Sequence, residues 1–378
     1  MSAIIASYAA DDLDVAPDPR QIAKQARLRY VADAEPGFGR RRYGKGFVHH
    51  DSAGRRLEDE NHLNRITALV IPPAWQEVWI CKHPNGHLQA TGRDEKGRKQ
   101  YRYHDRWSQA TNWFKFSRLK AFGDELPKLR RTVRRDLSSA DDRTRTLALM
   151  AALLDATAIR VGGREYAEEN EHYGLSTLHD EHVTVRGDLI RFEFVGKSGK
   201  EREVELKDRM LAKHVRILLQ RKGERLFEVR NDDGSFVAAE AEHLNAYLRS
   251  MIPAGCTAKT FRTWHGTVTA FQVLEAACEC EPMSLSKAAE RVNGHASGLT
   301  KKALEKTLRE AVRTAAERLG NTTTVCKAYY IHPALCDLYA DATLPSHLRK
   351  LRTKQRRGLT PPELRLLALL DRVVRLRQ

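Results

Sequence analysis

The hydrophobic pattern of the chain changes near residue 116, and this change limits the folds open to it. Before that point, turn-forming residues separate short segments in which polar and apolar residues alternate, at 77–81, 87–91 and 100–104. Such segments predict β-strands. Beyond it, apolar residues recur at helical spacing, as at Leu147, Ala151, Leu154 and Ala158. The sequence therefore predicts a small β-rich domain followed by a mainly helical one.

Further segments complete this α+β prediction. A helix is expected over 61–69, ending before Pro72 and Pro73. Three alternating segments beyond residue 116 predict a small antiparallel sheet, at 183–185, 189–195 and 202–206. The remaining predicted helices cover 210–220, 238–251, 300–319 and a stretch that starts at Thr360-Pro361-Pro362-Glu363. Thr300 and Gly320 are expected to cap the third of these, and a capping box opens the last, which should pack on another element.

The chain carries 65 Lys and Arg against 49 Asp and Glu, a net charge of +16. Such an excess favours a polyanionic partner, most often nucleic acid. Counted along the chain, the net charge is −2 over 1–25, +7 over 26–115, +3 over 116–345 and +8 over 346–378. We predict, in that order, a flexible arm, an N-terminal domain, a long central domain and a basic tail with a helix. The tail is expected to bind nucleic acid and to be separable from the rest of the chain.

Several classes of protein are excluded. No apolar run reaches the ~18–20 residues of a membrane span, and the N-terminus lacks the basic start of a secretory signal. Six cysteines without a CxxC pair favour reduced structural thiols in a cytoplasmic protein. There is no GxxxxGK[ST] loop, no GxGxxG after a strand and no HExxH helix, so we expect no nucleotide cofactor and no metal.

Basic side chains at two places suit phosphate chemistry, which without a metal needs cations to neutralise developing charge. Arg160 is expected to end an otherwise apolar helix, and a guanidinium there requires an anion, either a substrate or a carboxylate such as Glu165. Lys197 stands at a predicted hairpin tip within 194–200, where it is either functional or an ordinary solvated lysine.

Two more segments add to this set. Lys259 and Arg262 are three residues apart, so a helix would place them on one face. Asn321 follows a helix end, and Tyr329 and Tyr330 come shortly afterwards. Tyrosines in such a place are either functional or half-buried packing residues with a hydrogen-bonded hydroxyl.

Together and in this order, these segments resemble type IB DNA topoisomerases of the short bacterial and poxvirus form, over about residues 27–343. The sequence segments that carry the resemblance are PPAW (72–75), GHLQATGRDEKGRKQYRYH (86–104), IRVGGREYAEENEHYGLSTL (159–178), FVGKSGK (194–200), TAKTFRTWH (257–265) and LGNTTTVCKAYYIHP (319–333). The resemblance implies a two-lobed DNA clamp, in which a small β-rich domain precedes a mainly helical catalytic domain with a small antiparallel sheet.

The resemblance also implies an activity, the relaxation of supercoiled DNA without ATP or metal. One strand is cut through a 3′-phosphotyrosyl intermediate, the duplex rotates and the strand is resealed. The nucleophile corresponds to Tyr330, with Tyr329 as the adjacent alternative. The two essential arginines correspond to Arg160 and Arg262, and the general acid to Lys197.

Three further positions follow from the same resemblance. The lysine before the second arginine corresponds to Lys259, which is expected to contact DNA. Asn321 stands where many members have a phosphate-binding histidine, although short bacterial members resemble this chain in having asparagine. An amide donates a neutral hydrogen bond, but it carries no charge and does not titrate. Asn321 is therefore not expected to act as an acid or base.

The N-terminal domain is expected to supply further DNA contacts. In the segment 98–104, cations alternate with aromatics, and the family's DNA contacts correspond to Arg98, Gln100, Tyr101 and Tyr103. Gln can bind an adenine edge, whereas cations and tyrosine hydroxyls favour phosphates. On a strand both tyrosines face one side. The alternative is an amphipathic strand whose tyrosines face the core.

Two competing functions stay open. Tyrosine-type site-specific recombinases share this chemistry, but they usually have His-x-x-Arg where this chain has Lys259-x-x-Arg262. A DNA-binding relative that has lost catalysis is the other, although all five active-site positions hold workable residues. In each case the expected partner is double-stranded DNA. We expect a monomer, in the cytoplasm and associated with the nucleoid, that interacts with no membrane.

Overall fold

The computed structural model describes residues 18–197, 199–221, 223–230, 233–280 and 298–375. The chain divides into two compact units, Met1–Lys115 and Phe116–Gln378. Each unit has its own hydrophobic core, so each is described separately.

The N-terminal unit contains a five-stranded antiparallel sheet in the order β2-β1-β3-β4-β5. Its elements are α1 (Pro19–Gln25), β1 (Phe38–Tyr43), β2 (Gly46–His50), α2 (Glu60–Ala68), β3 (Gln76–Ile80), β4 (Leu88–Arg93) and β5 (Lys99–Tyr103). The predicted helix and three predicted strands correspond to α2 and β3–β5. The hairpin β1–β2 was missed because its sequence, FGRRRY and GFVHH, contains too few apolar residues to alternate.

Three small cores stabilise this unit among its described residues, and the smallest is formed by Val31, Cys81 and Leu88. A second lies between the sheet and α2, where Phe38, Ile66 and Ile80 are buried together. In the third, Ile22 and Ala23 of α1 pack against Phe114. A flexible arm was expected over residues 1–25, but the last part of this segment forms α1. The helix is ordered because Ile22 and Ala23 give it an apolar side to bury. Residues 1–17 lie outside the described residues.

The second unit is mainly helical. Helix α3 (Asp105–Asp136) begins in the first unit and continues into the second. The helices that follow it are α4 (Asp142–Thr157), α5 (Arg164–Asn170), α6 (Arg209–Leu219), α7 (Ala241–Leu248), α8 (Ala258–Cys280), α9 (Gly298–Leu319), α10 (Thr323–Tyr329), α11 (Pro333–Ala340), α12 (Leu344–Arg349) and α13 (Pro361–Arg375). The strands of this unit are β6 (Val183–Arg186), β7 (Leu189–Gly196), β8 (Lys200–Lys207), β9 (Glu228–Arg230) and β10 (Phe236–Ala238). No helix in the described part of the chain is long and apolar enough to cross a bilayer.

The core of this unit surrounds α4 and α8. The face predicted from Leu147, Ala151 and Leu154 is buried, and it belongs to a helix whose start is capped by the side chain of Asp141. In α8, Phe261 and Trp264 are fully buried. This large apolar contact area holds α8 rigidly, and that matters because α8 also carries site residues.

The predicted sheet is present as the antiparallel ladder β6-β7-β8. Its second hairpin pairs Gly196 with Lys200, so Lys197 lies in the turn. Two helix boundaries differ from the sequence prediction. The segment 238–251 gives only α7, because its first residue closes the small hairpin β9–β10. Helix α9 begins at Gly298, before the predicted cap Thr300, and ends as predicted before Gly320, whose φ is +60°.

The C-terminal segment confirms the prediction that its helix packs on another element, and this packing contradicts the prediction of a separable tail. The predicted capping box is present, since Glu363 accepts hydrogen bonds from the backbone N–H of Thr360 at 2.8 Å and from its hydroxyl at 3.0 Å. Yet α13 lies in the main core, where Leu366, Leu369 and Leu370 are buried. Removing 346–378 would expose this apolar surface and destabilise the unit, so the tail is part of the core of this unit.

Candidate active site

Helix α8 presents Arg262 to the ends of two other elements. The side chain is 3% exposed, and its guanidinium donates hydrogen bonds to the carbonyl oxygens of Ala158 and, at 2.7 Å, of Leu319. Ala158 ends α4 in the left-handed conformation, with φ +54°, and Leu319 is the last residue of α9. Both carbonyls are left without helical partners at helix ends, and Arg262 satisfies them.

Arg160 reaches the same place from the loop that follows α4. The sequence suggested that this arginine ends the helix, but the helix stops at Thr157. Its guanidinium donates to the carbonyl oxygen of Gly320 at 3.1 Å and to the amide oxygen of Asn321. The structure thus brings Arg160, Arg262 and Asn321 together at the C-terminal end of α9.

The two guanidiniums share this place without a compensating carboxylate among the described side chains. Glu165, the alternative partner for Arg160, has a side chain outside the described part. Burial lowers the pKa of Arg262 to about 10, and the charge of Arg160 adds to the effect. Burial also lowers the pKa of Arg160. Burial and mutual repulsion disfavour the charged forms of both arginines. An anion bound between them would stabilise both charges.

Two donors in this cluster are unused. The Nε of Arg262 and the Nδ2 of Asn321 are buried and have no hydrogen-bond partner among the described residues. Because Oδ1 of Asn321 accepts from Arg160, the NH2 group of the amide is the end left for another acceptor. Buried donors without partners are rare in folded proteins, and at a functional site they point to a ligand.

Tyr330 borders this cluster. It caps the C-terminus of α10, is 9% exposed, and has its ring centroid 5.3 Å from the guanidinium carbon of Arg262. Its neighbour Tyr329 is 47% exposed. Of the two candidate nucleophiles, Tyr330 is therefore the one placed beside Arg262.

Two small features of α8 place Tyr330. The hydroxyl of Thr267 accepts from the backbone N–H of His332 at 3.1 Å, and its single proton is shared between the carbonyl oxygens of Thr263, at 2.8 Å, and of Tyr330, at 3.3 Å. Gly266 lets the segment approach closely, since a Cβ at this residue would lie 2.6 Å from the same carbonyl oxygen. Sequence reasoning missed both residues, and nothing local to them could have revealed contacts made so far along the chain.

Lys197 is not brought into contact with the cluster. It is exposed in the turn of the β7–β8 hairpin and forms no hydrogen bond or ion pair with a described residue. The hairpin itself is anchored beside the cluster by Arg202, which donates to the carbonyl oxygens of Glu317 and Arg318 at 3.3 and 3.2 Å. Arg202 pairs with Phe194, so the turn begins about two residue pairs, roughly 7 Å, farther along the hairpin.

Lys259 is exposed in the first turn of α8, one turn before Arg262. It forms no hydrogen bond or ion pair with the described residues. This position leaves the ammonium free to interact with a ligand next to the cluster.

Of the other predicted DNA contacts in the N-terminal unit, Gln100, Tyr101 and Tyr103 lie on β5, and Arg98 directly precedes it. Tyr101 and Tyr103 are 48% and 44% exposed and stack on each other with ring centroids 5.9 Å apart. They face solvent, so the alternative in which they pack into the core does not hold. Arg98 and Gln100 both donate to Asp94, at 2.8 and 3.0 Å, which fixes their direction.

A buried polar network includes Trp264 and His265 of α8. The His265 Nε2 and Asp155 Oδ1 atoms are 3.3 Å apart, and the carboxylate of Asp155 accepts two hydrogen bonds from Arg130, at 2.7 and 3.1 Å. Although burial opposes ionisation, hydrogen bonds from His265 and Arg130 hold the pKa of Asp155 well below its usual range. Arg130 also binds Glu363 of α13, which accepts from the indole N–H of Trp264 at 3.0 Å.

No three His, Cys, Asp or Glu side chains come together as a metal site among the residues that the structure describes. The groups that do converge are two guanidiniums, an amide and a phenol. Such a set can hold the nonbridging oxygens of a phosphodiester next to a nucleophilic hydroxyl.

Comparison with known families agrees with this arrangement. The family model for the catalytic core of eukaryotic DNA topoisomerase I matches residues 104–354, and the model for the N-terminal domain of bacterial DNA topoisomerase IB matches residues 46–94. Both describe topoisomerases, which weighs against the recombinase alternative.

Individual relatives give the same result. DNA topoisomerase 1B of Acanthamoeba polyphaga mimivirus is 30% identical over 308 residues, covering 80% of this chain and 87% of the viral protein. DNA topoisomerase 1 of Daucus carota is 26% identical over 57% of this chain and 25% of its own length. Human DNA topoisomerase 1 is 24% identical over 59% of this chain and 27% of its own length. The chain belongs to the type IB DNA topoisomerases, which are isomerases that act on DNA.

Proposed function

We propose that this enzyme relaxes supercoiled DNA by cutting and resealing one strand through a 3′-phosphotyrosyl intermediate at Tyr330, without ATP or a metal. The observation that carries the proposal is the pair formed by the half-buried Arg160 and the buried Arg262, which lie together next to that tyrosine with no carboxylate among the described side chains. Two cations placed at such energetic disadvantage are expected to be stabilised by the substrate's phosphate.

In the cleavage step, the hydroxyl oxygen of Tyr330 attacks the phosphorus in line with the 5′ oxygen. The new phosphorus–tyrosine bond forms as the bond to the 5′ oxygen breaks. The tyrosine proton is released to water, and the departing 5′ oxygen gains a proton from a general acid. Resealing is the reverse attack by the 5′ hydroxyl, which releases the tyrosine.

Charge develops on the nonbridging oxygens during this step. Arg262, with its unused Nε, and Arg160 would donate charge-assisted hydrogen bonds to them, and the free amide N–H of Asn321 would add a neutral one. One well-placed donor of this kind is typically worth about 3–4 kcal/mol in the transition state. Asn321 contributes no proton, so its part is to orient the phosphate.

The leaving 5′ alkoxide is strongly basic, so it needs an acid. We assign that role to Lys197, whose ammonium has no hydrogen-bond or ion-pair partner among the described residues and sits on a hairpin anchored beside the cluster by Arg202. A general acid typically contributes 10²–10⁴-fold. Lys197 would reach the 5′ oxygen when DNA fills the space next to the cluster.

The phosphotyrosyl bond conserves the energy of the phosphodiester that it replaces. Resealing therefore needs no nucleotide hydrolysis, and rotation of the free end between cutting and resealing lowers the superhelical strain. Because Tyr330, Arg160, Arg262 and Asn321 come from one chain, one copy suffices for the chemistry, and we propose a monomer acting in the cytoplasm on nucleoid DNA.

Binding of the duplex would use both units. The exposed Tyr101 and Tyr103 on β5, together with Gln100 and with Arg98 directly before the strand, are proposed to contact the backbone and base edges. Lys259 would contact a phosphate close to the one that is cut.

The decisive experiment is relaxation of a negatively supercoiled plasmid in EDTA and without ATP, followed by denaturation to trap covalent adducts. We expect relaxed topoisomers and a DNA-linked peptide that contains Tyr330, attached at the 3′ phosphate. Strand exchange between two sites without relaxation would instead support a recombinase, and an adduct at a 5′ phosphate would contradict the proposal.

A further inference from the structure

His265 of α8 lies between the two helix ends that hold Arg262. Its Nε2 atom is 3.3 Å from Oδ1 of Asp155, two residues before the end of α4. Its Nδ1 atom is 3.2 Å from Nη2 of Arg318, in the last turn of α9. The histidine is 6% exposed, so its ring has little contact with water. The set Asp155, His265 and Arg318 is here named the imidazole bridge.

The two partners of the ring determine where its proton lies. A guanidinium is a donor only, so Nδ1 of His265 accepts from Arg318. In a neutral imidazole the other nitrogen then carries the proton, and Nε2–H donates to the carboxylate of Asp155. The opposite tautomer would turn an N–H towards the guanidinium and a lone pair towards the carboxylate, and both hydrogen bonds would be lost.

Both partners of the ring are themselves held by further hydrogen bonds. Asp155 accepts two bonds from Arg130 of α3, at 2.7 and 3.1 Å. Arg318 also donates from Nη1 to the hydroxyl of Thr269, at 3.0 Å, one turn beyond His265 on α8. Neither partner can move away from the ring without disturbing these bonds. The imidazole bridge therefore fixes the position of α8 relative to both α4 and α9.

Arg262, one turn before His265 on α8, binds the same two helix ends. It donates to the carbonyl oxygen of Ala158, three residues beyond the carboxylate of the bridge, and to that of Leu319, directly after the arginine of the bridge. Residues three apart lie on one side of a helix. His265 and Arg262 thus form two successive connections from α8 to the ends of α4 and α9.

The same two helix ends carry the other donors that we propose for the phosphate. Arg160 follows α4, and Asn321 follows α9. Arg160 and Arg262 bind neighbouring carbonyl groups, so two like charges are held close together and repel each other. That repulsion favours a displacement of α4 from α8, and the imidazole bridge opposes it.

We propose that His265 is a positioning residue for strand cleavage, which keeps Arg262 at a fixed spacing from Arg160 and Asn321 through the imidazole bridge. It acts through Arg262 and not on the phosphate itself. A misplacement of about 1 Å can reduce a rate by about 10²-fold, so such a spacing matters to the reaction. The inference rests on the proposed function for the reaction that the spacing serves, whereas the bridge is a property of the folded protein and can be measured without DNA.

A double-mutant cycle tests whether His265 acts through Arg262. His265→Leu removes both hydrogen bonds of the ring, and the single-turnover rate of adduct formation at saturating DNA is measured for it, for Arg262→Ala and for the double variant. We expect His265→Leu to slow the wild type by about 10²-fold but Arg262→Ala by less than about threefold, because groups that act as a unit are not additive. Equal factors in both backgrounds would overturn the proposal, and so would an unchanged rate in His265→Leu.

Conservative variants separate positioning from a general loss of stability. The amide of His265→Gln reaches about as far as Nε2 and can still donate to Asp155, whereas that of His265→Asn reaches about as far as Nδ1 and can still accept from Arg318. Each should recover part of the lost rate. Rates as low as that of His265→Leu in both would contradict a role for these hydrogen bonds.

A matched control lies on the same helix. The hydroxyl of Thr263 is buried and has no hydrogen-bond partner among the described residues, so Thr263→Val should leave the rate unchanged. Thermal melting sets an assay temperature at which every variant is folded. If His265→Leu does not fold, the same cycle is run with His265→Gln, for which we expect a smaller loss that again disappears in Arg262→Ala.

Nitrogen NMR of the histidine rings tests the imidazole bridge without DNA or turnover. The chain has 15 histidines, so the signals of His265 are assigned by their absence from His265→Asn. At neutral pH we expect a proton on Nε2 and none on Nδ1. A proton on Nδ1 would overturn the bridge whatever the cleavage rates. Absence of adducts in the wild type, with the expected ring signals present, would instead refute the phosphotyrosyl chemistry and the positioning role with it, while the bridge itself would stand.

Discussion

The guanidinium carbon of Arg262 lies 5.3 Å from the centroid of the Tyr330 ring, although the two residues reach this place from different helices. The contact depends on α8, which holds the arginine on one turn and fixes the tyrosine's backbone through Thr267 on another. A single helix therefore sets the spacing between Arg262 and Tyr330, the proposed phosphate-binding cation and the proposed nucleophile.

Replacing Arg262 by Ala should slow cleavage by at least 10²–10³-fold, the usual loss when one donor to a developing oxyanion is removed. The measurement is the single-turnover rate of adduct formation at saturating DNA. Lys259→Ala, one turn away and exposed, is the control and should mainly weaken binding. Near-normal cleavage by the Arg262 variant would remove this residue from the site.

Lys197→Ala should slow cleavage by 10²–10⁴-fold if the lysine protonates the leaving oxygen. Sulfur in place of the bridging 5′ oxygen gives a thiolate leaving group, which is much less basic and needs no proton. On that substrate we expect the Lys197 variant to approach the wild-type rate, whereas Arg262→Ala should stay slow. A Lys197 defect that sulfur does not repair would assign the lysine to binding instead.

Gly266→Ala should disturb the site without disturbing the helix. Alanine favours a helix over glycine by about 1 kcal/mol, but here its Cβ would lie 2.6 Å from the carbonyl oxygen of Tyr330. The backbone around Tyr330 must then shift, and even a small misplacement of a reacting group can reduce a rate by about 10²-fold. We expect slower adduct formation with DNA affinity retained. An unchanged rate would show that the tyrosine's position tolerates this shift.

Glu363→Gln tests how far the C-terminal helix supports the catalytic unit. Burial opposes its charge, but hydrogen bonding to Arg130 lowers the pKa of Glu363 to about 2. A lowered carboxylate pKa contributes stability above the usual value near 4.5, and this is lost as the pH falls towards 2. The contribution is about 3 kcal/mol at neutral pH.

Urea unfolding at several pH values measures this effect. The Glu363 variant should be less stable than the wild type at pH 7, with the gap closing between about pH 5 and 2. Glu305→Gln is the control, because its pairing with Arg309 at 3.8 Å is exposed and should contribute at most about 1 kcal/mol. A gap that stays constant with pH would contradict the assignment.

The sequence correctly predicted the elements whose signal lies in a few neighbouring residues. The periodicity of α4, the capping box of α13 and the alternation of β7 each depend on a few neighbouring residues, and the structure contains all three elements. The arm and the tail were predicted less well, because charge and composition do not show which apolar side chains find partners far along the chain. Ile22 of α1 and Leu369 of α13 are both buried.

Some residues of the candidate site could be predicted from the sequence, and others could be found only in the structure. Arg160, Arg262, Asn321 and Tyr330 could be named from their order along the chain, and the structure brings these four together. Arg202, Thr267 and the Asp155–Arg130–Glu363 network could not, since each acts through contacts with residues remote in sequence. Their types and spacing are unremarkable without the three-dimensional arrangement.

The central claim is that Tyr330, and not Tyr329, becomes linked to DNA. Paired variants, Tyr330→Phe and Tyr329→Phe, test it by plasmid relaxation and by trapping of covalent adducts under denaturing conditions. The account predicts that Tyr330→Phe forms no adduct and relaxes no plasmid while binding duplex with nearly wild-type affinity, and that Tyr329→Phe retains both activities. Relaxation and adduct formation by the Tyr330 variant would contradict it.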